Sequence, residues 1–348
     1  MYDDLPRLPV MGVGSYAAPG WLTPFRQAMR SGQAGPDDIA EAYEDATRVA
    51  LDDQIEAGID VLSDGELQRQ RFVYEMYDRI AGLERHAVGR KLGVPGYDRA
   101  PAFTAGERLR AEGGLGLVAE FETLRRLAPG RAIKIAFPGP CTFAGNIHPG
   151  PAHGSGPAAL EALLDDIVAL VRAEVIALAE AGAEMIQLDE PGFAHPPAGL
   201  SFAQARDLIN RCTEGHTART AVHVCFGNNA SRPYVRRDMT RFAEEMGGLD
   251  CRLLLLEFAN REMSEIDLLA GLAERFEIAA GVVDVKNWHT ETAEEVAERL
   301  RRVLAHVPPE RLWVTADCGF SAIPRFLARR KMQAMVAGAR LLREELAA

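Results

Sequence analysis

Two side chains with metal affinity stand two residues apart in an apolar run, Ala221-Val222-His223-Val224-Cys225. On a β-strand, residues i and i+2 face the same way, so an imidazole and a thiolate would enter one site, a pairing that suits Zn2+. Glu257 ends the run Leu253-Leu254-Leu255-Leu256, and Cys318 follows Leu312-Trp313-Val314-Thr315-Ala316-Asp317. A free cysteine is also commonly a small buried hydrophobe, so the His-x-Cys spacing alone leaves both readings open. Cys141, Cys212 and Cys251 have no such context and read as packing residues. A second group is acidic. Glu66 and Asp189 each end an apolar segment, and a desolvated carboxylate needs a cation beside it. A substrate ammonium would serve, and so would an internal arginine.

Positioning these groups requires a regular scaffold. Eight apolar segments, residues 8–16, 60–66, 132–138, 185–191, 221–227, 252–259, 278–286 and 312–318, alternate with helical patterns that include 36–58, 157–182, 291–306 and 324–346. Near-continuous apolar strands are expected where a parallel sheet is covered on both faces. The fold class expected is α/β, a (β/α)8 TIM barrel. An open doubly wound sheet is the alternative, but Gly12-Val13-Gly14 is only a fragment of a dinucleotide fingerprint. Residues 1–348 read as one catalytic domain, with 67–130 as a long insertion after strand 2 lying across the barrel top. Within it, 71–83 and 116–128 read as helical and 88–114 as a polar, Gly-rich loop. Barrel chemistry sits at the C-terminal ends of strands, which is where the polar groups gather: Gly14-Ser15-Tyr16, Asp64-Gly65-Glu66, Asp189-Glu190, Asp284-Val285-Lys286 and Asp317-Cys318-Gly319.

The chain has 348 residues, with 39 Lys and Arg against 50 Asp and Glu, a net charge of −11. That balance argues against a nucleic-acid partner, which would call for a basic face. No segment is apolar enough for a membrane span, and the start Met1-Tyr2-Asp3-Asp4 lacks the basic opening of a signal peptide. Five scattered cysteines are a poor disulfide framework and suit a reducing compartment. A cytoplasmic protein without nucleic-acid or membrane partners is expected.

Ile186-Gln187-Leu188-Asp189-Glu190-Pro191, His223-Val224-Cys225, Glu257, and Pro308-Pro309-Glu310-Arg311-Leu312-Trp313-Val314 leading into Asp317-Cys318-Gly319 together resemble the C-terminal catalytic barrel of cobalamin-independent methionine synthase. The resemblance spans nearly the whole chain, from Val13-Gly14-Ser15 to the final helix. It implies a zinc site made of His223, Cys225, Glu257 and Cys318, with Glu257 the ligand that loosens when a thiol arrives. It implies homocysteine bound through its sulfur, its amino group on Glu66 and Asp189 and its carboxylate at the turn Val13, Gly14 and Ser15. The chemistry implied is methyl transfer to sulfur, giving methionine. Lys286 stands where the family carries a proton-donating histidine, and Phe143-Ala144-Gly145 where it carries a tryptophan against folate. These departures and the single barrel imply methylcobalamin or a corrinoid protein as donor rather than methyl-folate. A related branch, epoxyalkane:coenzyme M transferase, is the alternative. Its thiol carries a sulfonate and no ammonium, for which Arg69, Arg71, Arg90 and Lys91 could serve. A non-catalytic, zinc-holding subunit of a methyl-transfer system is a third reading.

Overall fold

The computed structural model describes residues 2–69, 72–86, 101–197, 199–228 and 232–348; Arg71, Arg90 and Lys91 lie outside them. The strands are β1 (Val61–Leu62), β2 (Ala81–Arg85), β3 (Phe103–Arg110), β4 (Ala132–Ile133), β5 (Ile135–Pro138), β6 (Ile147–Pro149), β7 (Met185–Asp189), β8 (Arg219–Val224), β9 (Leu253–Glu257), β10 (Glu277–Val283) and β11 (Leu312–Ala316).

Six of them form one sheet in the order β11-β10-β9-β8-β7-β5. The pairs β10/β11, β10/β9 and β7/β8 are parallel. β1 pairs with β4, and β4 runs into β5 through Lys134. Val10 bridges to Val314 in β11 and Met11 to Val61 in β1. The pairing order therefore returns to its start through eight segments, the topology of a (β/α)8 barrel. Seven of the eight expected strands are present and shorter than expected, β4 and β5 together making the third; the one expected over residues 8–16 is reduced to the isolated bridges at Val10 and Met11. Side chains from Leu253 to Leu256 are fully buried, as parallel strands covered on both faces must be.

Local chemistry explains the helix ends. Pro36–Ala57 begins with Asp38 accepting a bond from the Gly35 N–H at 2.8 Å and stops at Gly58, whose φ of 85° is left-handed. Ala293–Leu304 opens with a reciprocal Thr292–Glu295 capping box. Arg325–Glu345 closes the chain.

The chain forms two compact units, residues 1–70, 120–136 and 252–348, and residues 71–119 and 137–251. In the second, β2, β3 and β6 make a separate three-stranded sheet. This corrects the helix expected over 71–83: only Tyr74–Tyr77 is helical, and β2 follows. Gly82 is left-handed at φ 92°, and Leu83 pairs with Ala105, so cross-strand pairing outweighs a weak local helical pattern. The loop expected over 88–114 instead contains β3, while residues 87–100 lie outside the described residues. The helix expected at 116–128 is found as Leu117–Leu127. β3 is tied to helix Pro157–Glu180 by Asp166, which accepts from the Leu109 N–H at 2.9 Å and Arg108 Nε at 2.9 Å. Among the described residues, no helix is long and apolar enough to cross a membrane.

Candidate active site

The turn Val13-Gly14-Ser15 is anchored from below. Lys134, fully buried in the link between β4 and β5, donates from Nζ to the Val13 carbonyl at 2.8 Å. Ser63 Oγ donates to the Gly14 carbonyl at 3.1 Å. Glu66 lies over this turn: a Cβ on Gly14 would stand 2.5 Å from Glu66 Oε1, so any side chain there would displace the carboxylate from its present position. Gly65 and Glu66 are both left-handed, at φ 72° and 56°. For Glu66 that backbone costs on the order of 1–3 kcal/mol, and Asp64 Oδ1 offsets it by accepting from the Glu66 N–H at 3.0 Å. Burial pushes the Asp64 carboxyl above its ordinary range, against the opposing pull of Arg69. Arg69 donates to the Ala136 carbonyl and to Glu120 Oε2, both at 2.8 Å, and stands 3.9 Å from Glu66 Oε2. The internal arginine weighed for Glu66 therefore exists, but its closest bonds go elsewhere.

At the end of β7, Asp189 is buried and accepts from Gln187 Nε2 at 2.6 Å. The next residue, Glu190, is fully buried. Its oxygens accept from the Cys141 N–H at 2.9 Å, the Thr142 N–H at 3.0 Å and Thr142 Oγ1 at 2.9 Å, so it caps the short helix Pro140–Ala144. Burial raises its pKa to about 8 even against these donors. A raised carboxyl binds its proton more tightly folded than unfolded, so the associated stability is present below about pH 4.5 and lost as the pH climbs through about 8. Glu190→Gln should flatten that decline in denaturant melts between pH 5 and pH 8 (roughly the window between the two pKa values); an unchanged slope would contradict the assignment.

Glu257, fully buried, forms an ion pair with Lys286 Nζ at 2.6 Å and accepts from Asn260 Nδ2 at 3.0 Å. Asp317 holds the chain after β9, accepting from the N–H groups of Phe258 and Ala259 at 2.8 Å and of Asn260 at 2.6 Å. Burial and the Glu257 charge push Asp317 well above the carboxylate range.

Ligand atoms of His223, Cys225 and Cys318 lie within 4.8 Å of one another, and the two members on β8 and its end are buried. Glu257, expected as a fourth member, is not in this group; a fully buried carboxylate needs a cation, and Lys286 supplies it. Cys141 and Cys212 are buried with their thiols pushed up by desolvation, as packing residues should be. Lys134 escaped the sequence reading, although a lone lysine inside Ala132-Ile133-Lys134-Ile135-Ala136-Phe137 was a legible sign of a buried cation with a fixed partner.

The family profile described as "Cobalamin-independent synthase, Catalytic domain" matches residues 8–341. A methionine synthase of Saccharolobus solfataricus is 31% identical, covering 99% of this chain and 97% of its own length. One of Sulfurisphaera tokodaii is 30% identical, over 99% and 95%. Among solved structures, a B12-independent methionine synthase from Shewanella sp. W3-18-1, in complex with selenomethionine, superposes with a TM-score of 0.79 at 27% identity, covering 98% of this chain and 99% of that one. A protein from Listeria monocytogenes shares the fold at a TM-score of 0.73 and 17% identity, over 99% of each chain. These matches place the α/β barrel among methyltransferases, so the reading as a non-catalytic subunit falls. "Cobalamin-independent" and "B12-independent" also run against the expectation of methylcobalamin or a corrinoid protein as donor.

Proposed function

Because the chain belongs to the cobalamin-independent synthase catalytic-domain family, we propose that it transfers a methyl group from methyl-folate to the sulfur of homocysteine, giving methionine, with zinc as its resident metal and residues 1–348 acting as one catalytic domain. The observation that carries this reading is the meeting of His223, Cys225 and Cys318 within 4.8 Å. One imidazole and two thiolates make a donor set that fits zinc and leaves a position for a thiol. Zinc bound there would hold an incoming thiol as its nucleophilic thiolate at neutral pH.

The chain's own residues do the rest. Glu66 and Asp189 take the substrate ammonium, the cation that buried acids need. Val13, Gly14 and Ser15 receive the substrate carboxylate on a turn whose Val13 and Gly14 carbonyls are already engaged by Lys134 and Ser63. Lys286 holds a proton at Nζ against Glu257 Oε2, keeping Glu257 neutralised as the candidate fourth ligand. Two acids suit homocysteine better than coenzyme M, whose sulfonate they would repel. Five free cysteines support a cytoplasmic location.

The test is purified protein with methyl-folate or methylcobalamin, each with homocysteine or coenzyme M, and products identified by mass. Methionine from methyl-folate and homocysteine is expected; methylated coenzyme M, or turnover with methylcobalamin alone, would overturn the assignment. Glu66→Gln and Asp189→Asn should each raise the homocysteine KM roughly ten- to a hundredfold, the scale of a lost charge-assisted hydrogen bond, and leave metal content unchanged. Unaffected homocysteine kinetics in both variants would remove the ammonium from these carboxylates.

A further inference from the structure

We infer that Lys286 and Asn260 form a second holding position for the Glu257 carboxylate, one that competes with the metal for it and receives it when a thiol arrives. This rests on the reading above, in which zinc is held by His223, Cys225 and Cys318 and Glu257 is the candidate fourth ligand. Both carboxylate oxygens of Glu257 are engaged. Lys286 Nζ donates to Oε2 at 2.6 Å and Asn260 Nδ2 to Oε1 at 3.0 Å. The pair is shut away from water, the Lys286 side chain 5% exposed and the Glu257 side chain not at all. A carboxylate so buried keeps its charge only beside a cation, and here either the ammonium or a metal can serve. Among the described residues, the ligand atoms that lie within 4.8 Å of one another belong to His223, Cys225 and Cys318 and not to Glu257. Glu257 must therefore move to coordinate a metal held by those three, and it moves against the two bonds it now accepts.

Both donors are anchored independently of Glu257. Asn260 Nδ2 also donates to Asp317 Oδ2 at 3.0 Å. Asp317 accepts from three successive N–H groups, of Phe258, Ala259 and Asn260, which fixes the amide to the residue that precedes Cys318. The Lys286 N–H donates to Asp284 Oδ1 at 2.7 Å, and the Asp284 N–H to Glu291 Oε1 at 2.9 Å. Glu291 in turn meets the fully buried Lys331 at 2.8 Å. The part with two places to go is the Glu257 side chain. Without the Lys286 ammonium, the metal-free protein would hold a buried carboxylate with no cation, and zinc would relieve it. A thiol would then have to expel the carboxylate with no cation to receive it. Removing Lys286 should thus tighten zinc and weaken the thiol.

The experiment measures two equilibria without methyl donor. Chelator competition gives the zinc Kd of the metal-free protein, and calorimetry gives the homocysteine Kd of the zinc-loaded protein. The proteins compared are wild type, Lys286→Met, Glu257→Gln and the double variant. Lys286→Met should bind zinc about tenfold or more tightly, the scale on which groups supporting a ligand act, and homocysteine more weakly by a similar factor. Added to Glu257→Gln, the same change should lose most of both shifts, because no carboxylate remains to be shared. A bare charge effect of the ammonium on metal and thiolate would act in both backgrounds; shifts as large in the Glu257→Gln background overturn the inference. So does parallel weakening of zinc and homocysteine in folded Lys286→Met, or no change in either. Should Lys286→Met fail to fold, Asn260→Ala, which removes a donor and no charge, is compared in the same two backgrounds. Opposite shifts that require Glu257 then support the role, and unchanged or parallel constants overturn it. Wild-type protein that takes up no stoichiometric zinc would overturn the zinc reading itself, and this inference with it.

Discussion

Serine in place of Cys225 or Cys318 is expected to empty the protein of zinc and to lower methionine formation by at least about a thousandfold, roughly 4 kcal/mol of transition-state stabilisation. The reason is chemical. A serine hydroxyl stays protonated at neutral pH and is a poor ligand where a thiolate had been. The ligand atoms concerned are within 4.8 Å of one another, so the loss of either should release the ion. Metal content by elemental analysis and methionine by mass spectrometry read the two effects separately. Glu257→Ala should release less metal than either cysteine change, because its carboxylate is already engaged by Lys286 at 2.6 Å and Asn260 at 3.0 Å. Full zinc occupancy in both serine variants would eliminate the proposed centre.

Lys331→Met is expected to destabilise the fold by about 3–5 kcal/mol, the cost of stranding a buried charge. Lys331 and Glu291 are both fully buried and meet at 2.8 Å. Glu291 also accepts from the Asp284 N–H at 2.9 Å and lies 3.4 Å from Arg299, while Lys331 bonds the His289 carbonyl. The pair thus ties the last helix to the loop after β10, and that loop carries Lys286. Urea melts measure the loss. The double variant Glu291→Leu with Lys331→Met should be more stable than Lys331→Met alone, since replacing both charges leaves neither unpaired. A single variant melting within about 1 kcal/mol of wild type would show that the pair contributes little.

How much of this was legible in the residue order depends on range. Helix and strand periodicities are local, so Pro36–Ala57, Ala293–Leu304 and all eight barrel segments could be read from windows of about a dozen residues. The candidate residues at strand ends were equally legible, because a polar residue closing an apolar run is a local signal; His223, Cys225, Asp189, Glu66 and Cys318 were singled out that way. The insertion was misread where a local pattern had to yield to a distant partner, as Leu83 does to Ala105.

The chain order alone was enough to indicate the fold class, the strand positions and the candidate ligand residues, since each follows from neighbours a few residues away. It left open which charges meet. Glu257 took Lys286 as its partner, Glu291 took Lys331, and Lys134 reached Val13 across 121 positions of sequence. A buried charge selects the nearest group that neutralises it, and nearness inside the fold is set by the closing of the strands around the core.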